Sequence, residues 1–287
     1  MKCSLCGKDS DKIRLTISGR NIYVCADCDY EFLFPQLSKE ENERLYNETY
    51  YKPWGLDKQQ NDEATAQMKK ETFSIYIDII KTRKNSGKLL DVGCATGYLM
   101  EVAGSRGFEA YGIDISAYSS GVARGKFAEG RVFTGTLDRS LFNGLLFDVI
   151  TMTDVLEHAP DPVETLKQAK TLLAKDGIVF LVTPNVRSVS NRLLGAKWSN
   201  YKLEHLHYFS KSSIRKAAAM AGLKVIACRR SSKYLNLKYT YNQFVTFPHW
   251  LLTPLFTILY KLLPDAALRA NIPVPIGEMI VVLKNND

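Results

Sequence analysis

Short apolar runs of strand length alternate with amphipathic segments of helix length from Lys88 to the end of the chain. The runs are KLLDVG, FEAYGIDIS, RVFTG, FDVITMTDV and GIVFLVTP, followed later by LKVIACR and EMIVVLK. Strands that alternate with helices assemble into a mostly parallel sheet that carries helices on both faces. The alternation therefore predicts an α/β fold, a doubly wound and mostly parallel sheet of seven strands.

The length of the chain is sufficient for one such sheet with its helices and for a small additional unit. Its 287 residues, 46% apolar and 24% charged, can bury one good-sized core and a small appendage. The first residues, MKCSLCGK, lack the apolar run of a signal peptide or a membrane anchor. We therefore expect a cytoplasmic protein whose thiols stay reduced.

Two Cys-x-x-Cys pairs lie near the start of the chain, separated by eighteen residues. This spacing is typical of a structural zinc site, because two such turns bring four thiolates into a tetrahedron. The alternative is that reduced cysteines pack as small apolar side chains. We predict a zinc ribbon over residues 1–34, built on a hairpin that turns at Gly19. The expected ligands are Cys3, Cys6, Cys25 and Cys28.

Residues 35–60 are polar and aromatic, and we expect them to form a linker that packs across the main domain, residues 61–287. Apolar residues at three-and-four spacing predict a helix from about Asp62 to Arg83. Gly87 is expected to end this helix.

The segment LLDVGCATGYLM, residues 89–100, joins the first expected strand to a helix. A phosphate-binding Walker loop would end in Gly-Lys-Ser/Thr, and a dinucleotide fingerprint would have a third glycine three positions after the second. The segment has neither; it contains Gly93-x-Ala95-x-Gly97, with Asp91 before it at the strand end. A carboxylate there would repel a pyrophosphate and favour a cationic or hydroxyl-rich ligand.

Four segments in succession resemble the motifs of class I S-adenosylmethionine-dependent methyltransferases: LLDVGCATGYLM, YGIDIS, FDVITMTDVLEHAPDP and LLAKDGIVFLVTPN. The resemblance covers residues 87–182 and is closest to the branch with ubiquinone-biosynthesis O-methyltransferases and sugar methyltransferases. It implies a Rossmann-like methyltransferase sheet, with S-adenosylmethionine as the cofactor.

The resemblance also implies which residues hold the cofactor. Gly93, Ala95 and Gly97 would let the backbone approach its amino-acid and ribose portions, with Ala95 where the family more often has glycine. Asp114 would accept hydrogen bonds from both ribose hydroxyls, or alternatively would only cap the next helix. The other expected contacts are Asp91 and Thr153 at the methionine end, and Thr136 and Leu137 at the adenine ring.

Methyl transfer from a sulfonium ion is an in-line displacement with an excellent leaving group, so positioning can supply most of the acceleration. A base helps when the acceptor is a hydroxyl or a carbon acid. In TDVLEH, Asp154, Glu157 and His158 resemble the divalent-cation segment of quinone O-methyltransferases, where a metal can lower the pKa of a phenol. The alternative is that Glu157 and His158 only organise the loop before Pro160.

A second candidate base lies in YKLEHLHYFS, residues 201–210, after the fifth expected strand and at the ligand-binding edge of the sheet. Its Glu-His pair resembles sugar C-methyltransferases, in which the histidine acts as base. We expect His205 to line the acceptor pocket; the alternative is a histidine satisfied within the fold. The candidate catalytic residues are His205, Glu204 and His158.

Residues 244–264, FVTFPHWLLTPLFTILYKLLP, are strongly apolar but contain two prolines, a histidine and a lysine. A membrane span needs about twenty uninterrupted apolar residues, so we expect no span here. We predict a helical cap inserted over residues 230–277, which either covers the acceptor or lies on a bilayer surface.

The formal charge of +8 is concentrated in residues 183–240, which hold twelve Lys and Arg against a single acid, Glu204. Such a region suits an anionic partner such as a phosphorylated small molecule, RNA or a lipid headgroup, or it is a solvated face with no special partner. The resemblance and the charge together favour a methyltransferase that acts at oxygen or carbon of a sugar, a quinone-like or a lipid-linked intermediate.

Two other functions remain open. An RNA methyltransferase would use the ribbon and the basic region, although TDVLEH lacks the Asn/Asp-Pro-Pro-aromatic turn that holds a base amino group. A non-catalytic binding module would use the ribbon and the sheet as a platform, and it would have no affinity for S-adenosylmethionine.

Overall fold

The computed structural model describes residues 1–38, 41 and 63–286, so most of the expected linker lies outside the described residues. The first part is an antiparallel meander of β1 (Lys12–Ile17), β2 (Arg20–Cys25) and β3 (Tyr30–Phe34). The predicted hairpin is confirmed, and Gly19 lies in its turn at a φ of 77°. The third strand was not predicted from the sequence.

Strands and helices then alternate as the apolar runs predict. The elements up to the centre of the sheet are α1 (Glu63–Lys81), β4 (Gly87–Val92), α2 (Tyr98–Ser105), β5 (Phe108–Asp114), α3 (Ala117–Arg124), β6 (Val132–Thr134), β7 (Phe147–Thr153), α4 (Pro162–Leu172) and β8 (Leu173–Pro184). The later elements are α5 (Val189–Leu194), β9 (His207–Tyr208), α6 (Lys211–Met220), β10 (Leu223–Arg230), β11 (Lys233–Leu235), α7 (Leu237–Thr246), α8 (Leu252–Leu262), α9 (Asp265–Leu268), β12 (Ile272–Val274) and β13 (Glu278–Asn285).

The role predicted for Gly87 was wrong. The helix α1 already ends at Lys81, and Gly87 is instead the first residue of β4. Its φ of 119° lies in a region that side chains rarely adopt, so glycine is needed where the chain turns into the strand.

The main sheet has the strand order β10-β13-β8-β7-β4-β5-β6. The strand β13 is antiparallel to both of its neighbours, whereas the pairs from β8 to β6 are all parallel. The predicted fold class, a doubly wound and mostly parallel sheet of seven strands, is therefore confirmed.

Consecutive residues of each central strand pack on opposite faces of this sheet, as the pleat requires. Leu89 belongs to the apolar cluster formed with α1 and α2, and Leu90 belongs to the cluster formed with α4 and α6. The helix α4 begins at Pro162 because the Asp161 carboxylate before it accepts hydrogen bonds from the backbone N–H groups of Val163 and Glu164. Because the strands from β8 to β6 are parallel, their carboxyl ends lie at one edge of the sheet.

The N-terminal meander is joined to the main sheet region rather than separate from it. The strand β9 pairs antiparallel with β3 and extends the meander to four strands. The buried Glu31 carboxylate accepts hydrogen bonds from Arg14 at 2.7 Å and from the Tyr201 hydroxyl at 2.8 Å. An ion pair between Asp29 and Arg187 adds a further link.

Residues between β10 and β13 form an insertion. Its strands β11 and β12 pair with each other, and α7, α8 and α9 lie between them in sequence. The backbone N–H of Tyr234 in β11 donates to the Thr72 hydroxyl of α1 at 2.8 Å, which fixes the base of the insertion. Among the described residues, no helix has both the length and the apolar character to cross a bilayer.

Candidate active site

The loop after β4 is shaped by three left-handed residues. Gly93, Ala95 and Gly97 have φ angles of 72°, 46° and 87°. A Cβ added at Gly93 would lie 2.5 Å from a Val155 methyl carbon, and one added at Gly97 would lie 2.7 Å from the Phe127 ring. Glycine is therefore required at both positions, because the backbone is left-handed there and Val155 and Phe127 occupy the space that a side chain would need.

Asp114, at the end of β5, ties this loop to the neighbouring strand. Its two carboxylate oxygens accept hydrogen bonds from the backbone N–H groups of Ala95 and Ser116, each at 2.8 Å. Burial raises the pKa of Asp114, while these two hydrogen bonds lower it. A carboxylate has about four acceptor positions, so the group still has capacity for two hydroxyl donors.

Asp91 lies deeper, beneath the same loop. Its side chain is 2% exposed and accepts a hydrogen bond from the Thr151 hydroxyl of β7 at 2.7 Å. Burial raises the pKa of Asp91 to about 7, although the bond from Thr151 lowers it. Asp91 therefore lies near the end of β4, as expected, and it also links β4 to β7 through this hydrogen bond.

The remaining residues expected to hold the cofactor lie at the same edge. Thr136 is exposed and Leu137 is half-buried, directly after β6, and Thr153 is the half-buried last residue of β7. Because β4, β5, β6 and β7 are parallel, their following loops lie side by side. The structure thus brings all eight predicted positions to one edge of the sheet.

The candidate bases meet although they are distant in sequence. The rings of His158 and His205 are 4.7 Å apart and nearly perpendicular. His158 Nδ1 lies 2.9 Å from the backbone carbonyl oxygen of Glu204. A carbonyl only accepts, so Nδ1 carries the proton and Nε2 of neutral His158 keeps its lone pair. Glu204 thus contributes its carbonyl oxygen to this arrangement.

His205 is kept neutral by its surroundings. It is 6% exposed, and its buried Nδ1 has no hydrogen-bond partner among the described residues. Burial, followed by the nearby charges of His158 and Lys202, lowers the pKa of His205 well below its ordinary value of 6.5. Burial also lowers the pKa of His158. Both imidazoles are therefore unprotonated at neutral pH, which is the state that a base requires.

Glu157 completes this cluster. It is 1% exposed, and one of its carboxylate oxygens accepts a hydrogen bond from the Thr183 hydroxyl at 3.0 Å. Burial, with the charge of Asp154, raises the pKa of Glu157. Ligand atoms of Glu157, His158 and His205 lie within 4.8 Å of one another, a spacing that could hold a cation.

Asp154 forms an ion pair with the insertion. Its carboxylate lies 2.6 Å from Lys233 Nζ, which also contacts Glu278 at 2.7 Å. Burial alone would lower the pKa of Lys233, but Asp154 and Glu278 hold it well above its ordinary value. Among the described residues, the ligand atoms that lie close enough together to share a cation are therefore those of Glu157, His158 and His205, without Asp154. No local signal in the sequence points to Lys233 or Glu278, because both lie far from TDVLEH along the chain.

Replacing Lys233 with methionine is expected to destabilise the fold in a pH-dependent way. Burial and then Asp154 raise the pKa of Glu278 to about 7, although Lys233 lowers it. Without Lys233 this pKa rises further above its unfolded value, so the folded chain retains the proton longer and loses stability as pH rises. We expect a loss of about 2–3 kcal/mol in the free energy of unfolding at pH 8, limited by the exposure of Asp154, and a smaller loss at pH 5.

Urea unfolding of wild type and Lys233→Met at both pH values measures this difference. The double variant Lys233→Met with Glu278→Gln is the matched control, because it removes the carboxyl group that titrates. It should recover much of the stability at pH 8. An equal loss for Lys233→Met at pH 5 and pH 8 would contradict the assignment.

The four cysteines form a second candidate site, apart from the sheet edge. The Sγ atoms of Cys3 and Cys28 are 3.7 Å apart, and those of Cys6 and Cys25 are 3.3 Å apart. All four sulfur atoms lie within 4.8 Å of one another. A tetrahedral zinc with bonds of about 2.3 Å separates its sulfur ligands by about 3.8 Å, so the cluster has the size of a four-thiolate site.

The strand order of the main sheet and the loop–acid pair at its edge define a class I S-adenosylmethionine-dependent methyltransferase. The chain belongs to the methyltransferase domain family, whose model matches residues 64–227. The first residues and the insertion up to β13 lie outside this match.

Known proteins give the same classification. The chain is 33% identical over 154 residues to the ubiquinone biosynthesis O-methyltransferase of Actinobacillus pleuropneumoniae, covering 48% of this chain and 65% of that relative. The match thus spans less than two thirds of the relative's length.

Solved structures share the fold at low sequence identity. Magnesium protoporphyrin IX methyltransferase from Synechocystis, with bound SAH, superposes with a TM-score of 0.52 at 17% identity, covering 86% of this chain and 99% of that chain. A chain from the complex between the Haloferax volcanii Trm112 methyltransferase activator and a methyltransferase has a TM-score of 0.54 at 15% identity, covering 83% and 98%.

Proposed function

We propose that the protein transfers a methyl group from S-adenosylmethionine to oxygen or carbon of a small-molecule acceptor. The observation that carries this proposal is the pairing of a left-handed, glycine-dependent loop with the Asp114 carboxylate at the next strand end, within a chain of the methyltransferase family. The acceptor would be a sugar, a quinone-like compound or a lipid-linked intermediate. The ubiquinone biosynthesis name of a relative supports the quinone-like class.

The cofactor would lie across the loop after β4. Asp114 would accept from the two ribose hydroxyls, while Gly93, Ala95 and Gly97 would contact the ribose and the amino-acid portion through their backbone. Thr136 and Leu137 would border the adenine, and Asp91 and Thr153 would border the methionine end.

His205 would act as the general base, supported by His158. The bound cofactor would supply an electrophilic methyl group and a neutral thioether leaving group, so the acceptor oxygen or carbon would gain the methyl carbon as the carbon–sulfur bond breaks. The acceptor proton goes to the neutral imidazole, whose lowered pKa keeps it unprotonated beforehand. The Glu204 carbonyl oxygen accepts the proton on His158 Nδ1 in a hydrogen bond, which fixes the orientation of the His158 ring beside His205. Activation by added Mg²⁺ or Mn²⁺ would instead favour a cation held by Glu157, His158 and His205.

We further propose that Cys3, Cys6, Cys25 and Cys28 bind one structural zinc ion. The separations of their sulfur atoms support this ligand set, and four thiolates leave no coordination position for chemistry. Reduced thiols in such a site also favour a cytoplasmic location. The exposed apolar helices of the insertion favour peripheral contact with a membrane.

The two alternative functions have less support. The relative with 33% identity is named for ubiquinone biosynthesis and not for RNA modification. A non-catalytic platform would not require the left-handed backbone of the glycine loop or the hydrogen bond from Ala95 N–H to Asp114.

Replacing Asp114 with asparagine is expected to weaken binding of S-adenosylmethionine by roughly 10- to 100-fold, because a hydrogen bond to a charged group contributes about 1.5–3 kcal/mol. Calorimetry with S-adenosylmethionine and with its demethylated product measures the effect. Glu109→Gln, at the other end of β5, is the control and should bind normally. Unchanged affinity in Asp114→Asn, or no binding by the wild-type protein, would refute the cofactor assignment.

A further inference from the structure

The helices α7 and α8 pack against each other through one side only. Tyr241 stacks on Tyr260 with ring centroids 4.2 Å apart, and Phe244 stacks on Phe256 at 5.0 Å. Neither helix contains a fully buried residue. The pair is therefore a hairpin that has a packed inner side and an accessible outer side.

The outer side of α8 is a continuous apolar stripe. Leu251, Leu255, Ile258 and Leu262 follow one another at four, three and four residues, which places them on one helix face. Their exposed fractions are 54%, 47%, 54% and 75%. Phe247 and Trp250, between the two helices, are 50% and 68% exposed. We name these six residues the hairpin face.

Lysines border the hairpin face. No acidic residue occurs from His205 to Pro264. Lys197 Nζ lies over the Trp250 ring at 4.7 Å, and Lys202 Nζ lies 5.8 Å from the centre of the Phe247 ring. Lys238 and Lys261 belong to the two helices themselves. An apolar stripe bordered by lysines complements a surface that is apolar below and negatively charged above.

We propose that the hairpin face docks this protein on the surface of an anionic lipid bilayer. Helices that lie in the interface bury their apolar side chains at the acyl boundary and place lysines among the headgroups, and tryptophan favours this depth. The helix α8 has 11 residues and a length of about 16 Å, so it lies on the bilayer and does not cross a core of about 30 Å.

A second copy of this chain fits the same face less well. A two-fold interface would bring identical surfaces together and so would bring the lysines that border one face close to the same lysines of the other. Anionic headgroups neutralise the same lysines, because each basic residue near such a surface is attracted to it.

The docked orientation would bring the lipid close to the sheet edge. Lys202 contacts Phe247 of the hairpin face and lies three residues before His205. An acceptor with a lipid chain could then reach the histidine pair from the bilayer. This consequence rests on the proposed function, whereas docking itself does not.

Flotation of the 287-residue chain, purified with zinc in the buffer, with lipid vesicles tests the proposal. Vesicles of phosphatidylcholine with about 30% phosphatidylglycerol have a negative surface potential. At low salt these vesicles should carry the protein upward, and vesicles of pure phosphatidylcholine should carry much less of it. The double variant Leu255→Gln with Ile258→Gln should partition at least about tenfold less, because two buried aliphatic side chains are lost. Met220→Gln is the matched control; Met220 is 46% exposed and precedes β10, at the opposite end of that strand from the insertion.

Equal flotation of the double variant and the wild type, or no flotation of the wild type with anionic vesicles, would overturn the proposal. Sedimentation that shows a dimer of the wild type and a monomer of the double variant, without flotation of either, would assign the face to a second copy and would also overturn it. Calorimetry with S-adenosylmethionine on the same samples separates this result from a failure of the proposed function, since docking does not require cofactor binding.

Discussion

Replacing His205 with alanine is expected to slow methyl transfer by about 10²–10⁴-fold, the usual contribution of a positioned general base. His205 is buried beside His158, and its pKa is held well below 6.5, so the neutral ring is present before the acceptor binds. Removal of the ring leaves cofactor binding intact, because the expected cofactor residues lie on other loops. Turnover should therefore fall while the affinity for S-adenosylmethionine stays the same.

Labelled S-adenosylmethionine with candidate sugar, quinone-like and lipid-linked acceptors provides the assay. His249→Ala is a matched control, because His249 lies on the hairpin and outside the candidate site. Turnover of His205→Ala within threefold of wild type, on an acceptor that the wild type methylates, would show that His205 is structural. A loss of cofactor affinity in the variant would show instead that the replacement disturbs the whole edge.

The pH dependence gives an independent measure of the same group. A base must be unprotonated, and a lowered pKa keeps it so at pH values below the ordinary range of histidine. The acid limb of the rate profile should therefore begin below pH 6.5. Burial lowers the pKa values of His158, His205 and His207, so the unfolded chain binds protons more readily and stability also falls below pH 6.5. Circular dichroism at each pH separates a loss of catalysis from a loss of fold.

Replacing Cys25 with serine is expected to abolish zinc binding and to unfold the meander of β1, β2 and β3. The free energy of binding a structural zinc is about 10–16 kcal/mol, which equals or exceeds the stability of a typical domain. Metal analysis of the purified wild type should find one zinc per chain, and Cys25→Ser should retain none. Hydrogen exchange should then show loss of protection in residues 12–34, with less change in the central strands.

Cys228→Ser is the control for this experiment, since Cys228 is half-buried and lies outside the cysteine cluster. It should keep both the zinc and the protected meander. Zinc-free wild type with a fully protected meander would show that the cysteines act only as apolar side chains.

Loss of zinc is also expected to reduce turnover. The strand β3 pairs with β9, which begins two residues after His205, and the Tyr30 hydroxyl contacts His207 Nδ1. Unfolding of the meander therefore removes the support of the segment that carries the candidate base. The affinity for S-adenosylmethionine should change little, because the glycine loop has no partner in the meander among the described hydrogen bonds of Gly93, Ala95 and Gly97.

The main sheet and the edge that carries the expected cofactor residues were predictable because their signals are local. Each strand is one apolar run, and the end of each parallel strand lies at the same edge whatever the loops contain. Asp91, the Gly93–Gly97 loop, Asp114 and Thr153 are therefore grouped correctly once the strands are recognised. The cysteine spacing is equally local, and it brings the four sulfur atoms together as expected.

The acceptor side was only partly predictable. The two histidine segments were each singled out, but their meeting and the proton on His158 Nδ1 depend on a contact across 46 residues. Lys233 reaches Asp154 across 79 residues, and no pattern near either residue indicates the other. The apolar segment at residues 244–264 was recognised, but its sequence did not decide between covering the acceptor and facing outward.

The sequence by itself determined the strands of the main sheet, the glycine loop, the acidic strand ends and the thiolate spacing, because backbone preference and hydrophobic period act over a few neighbouring residues. Only the tertiary structure decided that His205 lies against His158, that β9 joins the meander and that the hairpin face stays exposed. These features depend on which distant segments the sheet order brings together. The loops between such distant segments carry no sequence pattern that indicates which segments will meet. These contacts are therefore specified only by the packed fold.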